Sequence, residues 1–487
     1  MSVDADPGTT KTPGPNGAGL EDGLLRAARS CFETGGLQAL CELTRVACVS
    51  PAYDADWLER GEILRAAGML AEWFEGRALE GSSVEVVTIE GRTPLLLAEV
   101  GATGGRPGST ALVYGHLDKQ PPLGGWREGL QAFEPVLEGD RLYGRGTADD
   151  GYSLFAATAA IEALQREGAG HPRVVVLIEA SEESGSPDLP AYLDALSSRI
   201  GRPSVVVCLD SGCATYDRLW VTTSLRGVIS ATLRVEVLEQ GVHSGAAGGI
   251  VPSSFRLLRR LLDRIEDPST GEMLVPELHV PLPERRRLEI ERLVEELGEA
   301  AAGTFPSVPG LELSGAGPLD RVVRGTWEPS LSVTGADGLP PVGEAGNVLR
   351  PFTALKLSIR TPPTCDVAAA AAALEERLLA DPPEGARVSL AWDSPGSGWE
   401  SPEPSPWLDE ALEEASLECF GRPPGAIGVG GSIPFLAELS SRFPGAQLVA
   451  TGVLGPESNA HGPNEFLHVP TAVALAGCLA HLLRAVP

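Results

Sequence analysis

Acidic and histidine side chains follow several strand-like runs of this sequence. The apolar run 174–178 leads into three glutamates within five residues, and carboxylates packed this closely repel one another in a low-dielectric site. Functional groups of α/β proteins gather beyond the carboxyl ends of strands. The candidates at strand ends and on one glycine-rich loop are His116 and Asp118, Asp149 and Asp150, Glu182 and Glu183, Asp210 and His461. A positive charge or a shared proton must therefore make the cluster tolerable.

These residue types are suited to hold two divalent metal ions. Two histidines, a pair of aspartates and a glutamate fill two sites if one carboxylate bridges them. Two cations about 3.5–4 Å apart then neutralise the carboxylates, and a neighbouring glutamate remains free as a general base. Asp118 follows His116 by two residues, so both point to one side of a strand and the carboxylate can orient the imidazole. The same ligands accept zinc, manganese or cobalt.

The elements that must position these residues follow an α/β pattern. Strand-like runs such as VEVVTI, TALVYGHLD and RVVVLIEA alternate with helical stretches up to residue 222. The strictly alternating GVISATLRVEVL then begins a different block, which includes a long Pro- and Gly-rich stretch to about 345. We predict a doubly wound mixed sheet in a catalytic domain formed by 21–222 and 398–487. An inserted α+β, ferredoxin-like lid domain occupies 223–397.

Composition and charge exclude several classes of protein. The chain of 487 residues carries a net charge of −28, which disfavours nucleic acid and anionic membranes as partners because both are recognised by basic patches. No apolar run approaches the roughly 20 residues that span a bilayer. Eight scattered cysteines are typical of buried thiols in a reducing compartment. Residues 1–20 lack the features of a signal peptide and are expected to be a disordered tail, so we expect a cytoplasmic protein.

Seven motifs together resemble one enzyme family. They are GHLDKQP, LYGRGTADDG, EASEESGS, CLDSG, VHSGAAGG, GGSIP and NAHGPNE. In this order they are similar to the dinuclear metallopeptidases of the carnosinase and cytosolic nonspecific dipeptidase type, which have aminoacylase and glutamate carboxypeptidase relatives. The resemblance covers nearly the whole chain after residue 20 and is strongest to the dipeptidase branch. It implies a metal-dependent hydrolase acting on dipeptides or short peptides.

The resemblance also implies a role for each residue of the cluster. Two divalent ions per subunit, Zn²⁺, Mn²⁺ or Co²⁺, share five ligands. These are His116 and Asp210 for one ion, Glu183 and His461 for the other, and Asp149 as the bridge. Glu182 is implied as the general base that takes a proton from the metal-bound water and passes it to the leaving amine. Asp118 is implied to orient His116 or to tune the base.

The predicted lid is implied to complete the substrate site. In the family, the histidine at the position of His243 reaches across a homodimer into the partner's active site, where it stabilises the oxyanion. Arg360 and Asn347 are expected to bind the substrate's terminal carboxylate. The N–H groups of Gly431 and Ser432, at a helix start, are expected to hold the same carboxylate.

Two departures from the family pattern leave the substrate open. Gly151 follows the Asp-Asp pair where relatives usually have lysine, and Val429 stands before the GGS turn where the dipeptidase branch tends to have an acidic residue. The sequence therefore predicts cleavage of an amide next to a free C-terminal carboxylate, with an N-acyl-amino-acid amidohydrolase or a carboxypeptidase as the alternative. A serine hydrolase is disfavoured because no Gly-x-Ser-x-Gly motif occurs. The intact glutamates and ligands argue against a non-catalytic binding module.

Overall fold

A computed structural model describes residues 22–105, 108–305, 307–393, 396–431 and 434–487. The predicted disordered tail, 1–20, lies outside the described residues. Within them the strands are β1 (Ser82–Val87), β2 (Leu95–Val100), β3 (Thr110–His116), β4 (Val136–Glu138), β5 (Arg141–Tyr143), β6 (Arg173–Glu179), β7 (Val205–Cys208), β8 (Trp220–Leu225), β9 (Gly227–Glu236), β10 (Val242–His243), β11 (Ser330–Asp337), β12 (Val348–Leu349), β13 (Phe352–Thr361), β14 (Arg387–Trp392), β15 (Trp399–Glu400), β16 (Gly425–Val429), β17 (Gln447–Ala450) and β18 (Phe466–His468).

The α-helices of the same residues are α1 (Gly23–Cys31), α2 (Leu37–Thr44), α3 (Trp57–Arg60), α4 (Glu62–Gly76), α5 (Ser153–Arg166), α6 (Leu189–Ala195), α7 (Ser197–Ile200), α8 (Ser244–Ala247), α9 (Ser254–Leu262), α10 (Glu284–Leu297), α11 (Pro318–Thr326), α12 (Val367–Leu379), α13 (Pro406–Phe420), α14 (Pro434–Arg442) and α15 (Val469–Ala485). A π-helical turn, Phe32–Gly36, joins α1 to α2, and short 3₁₀ turns include Glu182–Ser184. Within the described ranges, none of the helices is both long and apolar enough to cross a membrane.

A large mixed sheet of nine strands forms the first structural unit. Its strand order is β1-β2-β6-β3-β7-β17-β8-β15, and β16 also pairs with β8. The central strands β6, β3, β7 and β17 are parallel neighbours. Alternate residues of β6 belong to different cores: Val174 and Val176 pack with α1, α5 and α15, whereas Val175 and Leu177 pack with α6 and α14. Helices therefore cover both faces, which explains the continuous apolar runs and confirms the predicted doubly wound mixed sheet.

A four-stranded antiparallel sheet forms the second unit. Its order is β11-β13-β9-β14, and the chain runs β9-α9-β11-β13-α12-β14 through it, which is the predicted ferredoxin-like arrangement. The alternating sequence of β9 gives strict alternation of buried and half-buried residues, because α9 and α12 cover one face only. The chain changes sheet between Leu225 and Gly227 and returns between Trp392 and Trp399. The domain limits at 222 and 397 stay predictions.

The connection between β10 and β11 reaches back to the large sheet. Its helices α10 and α11 place Ile290, Leu293 and Val322 against Trp220 of β8 and Ile427 of β16. On α10, the buried Arg286 Nε donates to Glu400 of β15 at 3.1 Å. The Pro- and Gly-rich stretch thus contains two helices that pack on the large sheet.

Candidate metal centre

Five acidic and histidine side chains meet at the carboxyl ends of the central parallel strands. Two groups of three have donor atoms within 4.8 Å of one another, namely His116, Asp149 and Asp210, and Asp149, Glu183 and His461. The structure therefore brings together all five ligands that the sequence predicted. Asp149 belongs to both groups, which is the position of a bridging carboxylate.

The distances show how Asp149 stands between the two histidines. Its Oδ1 lies 3.4 Å from His116 Nε2, and its Oδ2 lies 3.0 Å from His461 Nε2. On one side, Asp210 Oδ2 is 3.8 Å from His116 Nε2. On the other, Glu183 Oε2 is 3.2 Å from His461 Nε2. Each oxygen of the shared carboxylate thus faces a different histidine, as bridging two cations requires.

Strand ends and tight loops supply these side chains. His116 is the last residue of β3, Asp210 follows β7 by two residues, and Glu183 lies in the 3₁₀ turn after β6. Asp149 lies in the turn before α5, where the Asp149–Asp150 peptide bond is cis. His461 has a left-handed backbone (φ 62°) in the loop from β17 to β18, and its side chain is 57% exposed. Four of the predicted ligands thus have buried side chains, and His461 is the one that faces solvent.

The donor set fits a divalent cation. His116 is 1% exposed, and its Nε2 has no hydrogen-bond partner among the described residues. Its Nδ1 lies 3.0 Å from the main-chain oxygen of Asp118, so a proton on Nδ1 is satisfied and Nε2 is the nitrogen that faces the carboxylates. A buried, unpartnered imidazole nitrogen beside the carboxylates of Asp149 and Asp210 is the kind of donor that divalent metals such as zinc or manganese take.

Asp118 supports two parts of this centre. Its carboxylate Oδ1 lies 3.5 Å from His116 Nδ1, as the His-x-Asp spacing predicted. The same carboxylate accepts hydrogen bonds from the backbone N–H groups of Glu182 and Glu183, both at 3.1 Å. Asp118 therefore fixes the turn that carries these glutamates, a contact that the sequence did not indicate.

The pKa values of the cluster show how its charges are balanced. Burial, together with neighbouring carboxylates, raises the pKa of Glu182 well above its usual value and that of Asp210 to about 7. Burial alone would lower the pKa of His461, but Asp149 and Glu183 outweigh it and raise that pKa to about 11. Protons on histidine thus offset the carboxylate charge, and a divalent cation would supply the same positive charge in their place.

Glu179 is the first of the three glutamates that follow the apolar run 174–178, and hydroxyl groups bind its carboxylate. Its Oε1 accepts hydrogen bonds from Tyr114 Oη and from Ser186 Oγ, the latter at 2.8 Å, and Ser181 Oγ lies 3.3 Å from its Oε2. Burial raises the pKa of this carboxyl to about 7. Its role is therefore to anchor the turn after β6 through hydroxyl groups.

A buried ion pair that the sequence analysis missed holds the two loops that carry Asp149 and His461. Arg145 Nη1 lies 2.6 Å from Glu465 Oε2, and Arg145 Nη2 donates to the Gly462 carbonyl at 2.9 Å. Glu465 Oε1 accepts the N–H of Gly146 at 2.9 Å and, more distantly, that of Asp149 at 3.4 Å. Arg145 belongs to the motif LYGRGTADDG and Glu465 to the motif NAHGPNE. Nothing in either motif indicates that the two residues pair.

The predicted substrate-binding residues lie in two places. His243 and Asn347 are exposed and adjacent: His243 pairs with Val348 across β10 and β12, and the Ser244 N–H donates to the Asn347 carbonyl at 2.9 Å. Within the part of the chain that the structure describes, no hydrogen bond or ion pair joins His243 to the five ligands. The structure thus places these two residues together but does not bring them into the metal centre.

Arg360 lies near the GGS turn. It is half-buried near the end of β13, and burial lowers its pKa. Burial and the Arg360 charge lower the pKa of Arg226 to about 10, and Arg360 of β13 pairs with Val228 of β9, two residues after Arg226. Arg226 Nε donates to the Gly430 carbonyl at 3.2 Å, and the next residue, Gly431, is exposed. Ser432 lies outside the described residues.

Comparison with known proteins gives one consistent result. The model of a family described as peptidase family M20/M25/M40 matches residues 112–485. A cysteinylglycine-S-conjugate dipeptidase of Corynebacterium striatum is 27% identical over 376 residues, 75% of this chain and 80% of that protein. A Cys-Gly metallodipeptidase of Schizosaccharomyces pombe is 26% identical over 401 residues, 79% and 82%. The solved structure of the dipeptidase Dug1p of Saccharomyces cerevisiae shares the fold, with a TM-score of 0.77 and 22% identity over 95% of this chain and 98% of that one.

Proposed function

The chain belongs to peptidase family M20/M25/M40, and on that premise we propose that it is a metal-dependent dipeptidase that cleaves the amide bond next to a free C-terminal carboxylate. The observation that carries this proposal is the pair of donor groups that share Asp149. The relatives that are dipeptidases, two of them of Cys-Gly type, support a dipeptide as substrate.

The five clustered side chains would hold two divalent ions, Zn²⁺, Mn²⁺ or Co²⁺. His116 and Asp210 would bind one ion, Glu183 and His461 the other, and Asp149 both. Such a pair of ions, when bound, polarises the scissile carbonyl group and lowers the pKa of water. The half-exposed His461 leaves an open side through which a peptide can reach the centre.

Glu182 acts as the general base. It accepts the proton of the attacking water and delivers it to the leaving amine. The same carboxylate therefore acts first as a base and then as an acid. In the metal-free protein, burial and the carboxylates of Asp210 and Glu183 raise its pKa. The backbone N–H of Glu182 donates a hydrogen bond to Asp118 Oδ1 at 3.1 Å. This bond holds the base beside the predicted ligands, and Glu182 is not one of them.

The inserted unit and the GGS turn of the catalytic domain together supply substrate recognition. Arg360 and Asn347, with the N–H groups of Gly431 and Ser432, bind the terminal carboxylate of the peptide. His243 serves the active site of a second subunit in a homodimer, where it stabilises the tetrahedral oxyanion. Its exposed position on β10 is consistent with a role outside its own subunit's site.

The test is hydrolysis of a substrate panel by protein that has been stripped with EDTA and resupplied with Zn²⁺, Mn²⁺ or Co²⁺. We expect the stripped protein to be inactive and the resupplied protein to cleave Cys-Gly, Ala-Ala, Leu-Gly or β-Ala-His, because the proposed reaction needs the metal ions to polarise the carbonyl group and to activate water. Unchanged activity after complete metal removal would contradict the metal-dependent mechanism.

An N-acyl-amino-acid amidohydrolase or a carboxypeptidase is the second candidate, and one observation favours it. Val429 ends β16 before the GGS turn and is packed against apolar clusters on both sides. No carboxylate stands at this position to pair with a free amino group. Metal-dependent cleavage of N-acetyl-amino acids, with no cleavage of free dipeptides, would support this candidate over the dipeptidase.

Replacing Arg360 by methionine is expected to raise KM for free dipeptides about tenfold or more and to change kcat little, because a hydrogen bond to a charged group is lost. The wild-type preference for a free carboxylate over a C-terminal amide should shrink in the variant. Arg387→Met, on the same sheet with its side chain 84% exposed, is the matched control. A KM equal to the wild-type value for all substrates would exclude Arg360 from carboxylate binding.

A further inference from the structure

Gln120 donates a hydrogen bond directly to a predicted metal ligand. Its Nε2 lies 2.6 Å from Glu183 Oε2, the oxygen that is also 3.2 Å from His461 Nε2. The terminal torsion of a glutamate side chain is broad, so the orientation of the carboxylate depends on the groups that bind it. The Gln120 amide therefore selects one orientation of Glu183 among those open to it.

The chain around Gln120 is tied to the segment 43–53, which lies ahead of the region matched by the family model. The Lys119 N–H donates to the Cys48 carbonyl at 3.0 Å, and the Ser50 N–H donates to the Lys119 carbonyl at 2.9 Å. The Lys119 side chain, 1% exposed, places Nζ 2.7 Å from the Leu43 carbonyl and 2.8 Å from that of Val46. A buried ammonium at the end of α2 thus fastens residues 43–50 to Lys119.

The same segment also forms hydrogen bonds with the turn that carries Glu182 and Glu183. Ser184 Oγ lies 2.6 Å from Ser50 Oγ and accepts the Ala52 N–H at 2.9 Å. Tyr53, which is 50% exposed, places its Oη 3.4 Å from Gln120 Nε2. The second N–H of the Gln120 amide therefore faces the tyrosine hydroxyl while the first is bound to Glu183. Residues 43–53 contact both the donor and the turn of its acceptor, and we call them the N-terminal brace.

We propose that Gln120 is a positioning residue for Glu183, and that the N-terminal brace holds it so that the Glu183 carboxylate faces His461 before a cation binds. The proposal rests on the two-metal site of the proposed function. Groups that hydrogen-bond to a metal ligand orient it, and their loss typically costs about 10–100-fold in metal affinity or activity. Gln120 carries no charge, so its effect comes from orientation and not from neutralising the cluster.

The test is Zn²⁺ titration of EDTA-stripped protein, with affinities measured by competition with a chelating dye. In Gln120→Met, which keeps the length of the side chain, we expect the ion at Glu183 and His461 to bind about 10–100-fold more weakly and the other ion to bind as in wild type. Gln38→Met, an exposed glutamine on α2, is the control and should bind both ions normally. Wild-type affinity for both ions in Gln120→Met would overturn the proposal.

Tyr53→Phe provides a second variant that keeps the ring and removes only the hydroxyl. It should weaken the same ion by less than Gln120→Met does, and it decides the question if Gln120→Met shows no cooperative thermal transition. The titration needs no substrate, so its outcome is separate from that of the peptide panel. A wild-type protein that binds two ions but cleaves no panel substrate would refute the proposed function, whereas unweakened binding in the variants would refute the role of Gln120.

Discussion

Replacing Glu182 by glutamine is expected to lower kcat by about 10²–10⁴-fold, the usual contribution of a general acid-base group. Glutamine keeps the size of the side chain but cannot accept a proton from water at neutral pH. The five ligands and the backbone bond from the residue 182 N–H to Asp118 stay in place. Bound metal, measured by elemental analysis of the purified variant, should therefore equal that of wild type, and KM should change little.

Glu75→Gln is the matched control, because Glu75 is exposed on α4, away from the metal centre. Its kcat should equal that of wild type. The acidic limb of the kcat/KM profile reports the base in the free enzyme, so this limb should disappear in the Glu182 variant and persist in the control. A Glu182→Gln enzyme with full metal content and a kcat within a few-fold of wild type would exclude Glu182 as the base.

The grouping of these side chains was open to prediction because it depends on a local rule. Parallel strands place their carboxyl ends at one edge of a sheet, so His116, Glu183 and Asp210 could be grouped from apolar runs alone. His461 was grouped with them in the same way and Asp149 by its glycine-rich loop, whereas the resemblance of the motifs added their roles. The family match to 112–485 confirms that resemblance. The mixed sheet and the ferredoxin-like unit, which the structure confirms, were predictable for a similar reason. A strand that is buried on both faces has a continuous apolar sequence, as β6 has, and a strand that is buried on one face alternates, as β9 does.

The contacts that hold the ligands could not be predicted, because they join residues far apart in the chain. Arg145 and Glu465 are 320 residues apart, and Gln120 and Glu183 are 63 apart. Each partner alone looks like an ordinary polar residue of a motif, and only the packing of two loops makes them a pair. Helices α10 and α11 were missed for a different reason. The 14 residues of α10 contain no proline or glycine, but the prolines and glycines that flank both helices favoured the interpretation of one Pro- and Gly-rich stretch.

Replacing Arg145 by methionine is expected to lower the free energy of unfolding of the metal-free protein by about 3–5 kcal/mol, as for other buried pairs that lose one partner. The Arg145 side chain is 1% exposed and that of Glu465 is fully buried. The variant leaves the Glu465 carboxylate without its cation, close enough to Asp149 for their charges to interact. Urea denaturation followed by tryptophan fluorescence measures the loss. Arg45→Met, which breaks an exposed pair with Glu42, is the control and should change stability little.

The pH dependence identifies Glu465 as the source of this loss. Burial and the charge of Asp149 raise the pKa of Glu465 to about 7, and Arg145 opposes that rise. Without Arg145 the pKa in the folded protein rises further above the unfolded value of about 4.3. The folded state then binds more protons than the unfolded state between these values, so stability falls as pH rises from about 5 to 8. Adding Glu465→Gln to Arg145→Met should remove this slope and recover part of the lost stability. A variant as stable as wild type at pH 8 would show that the backbone N–H groups alone satisfy Glu465.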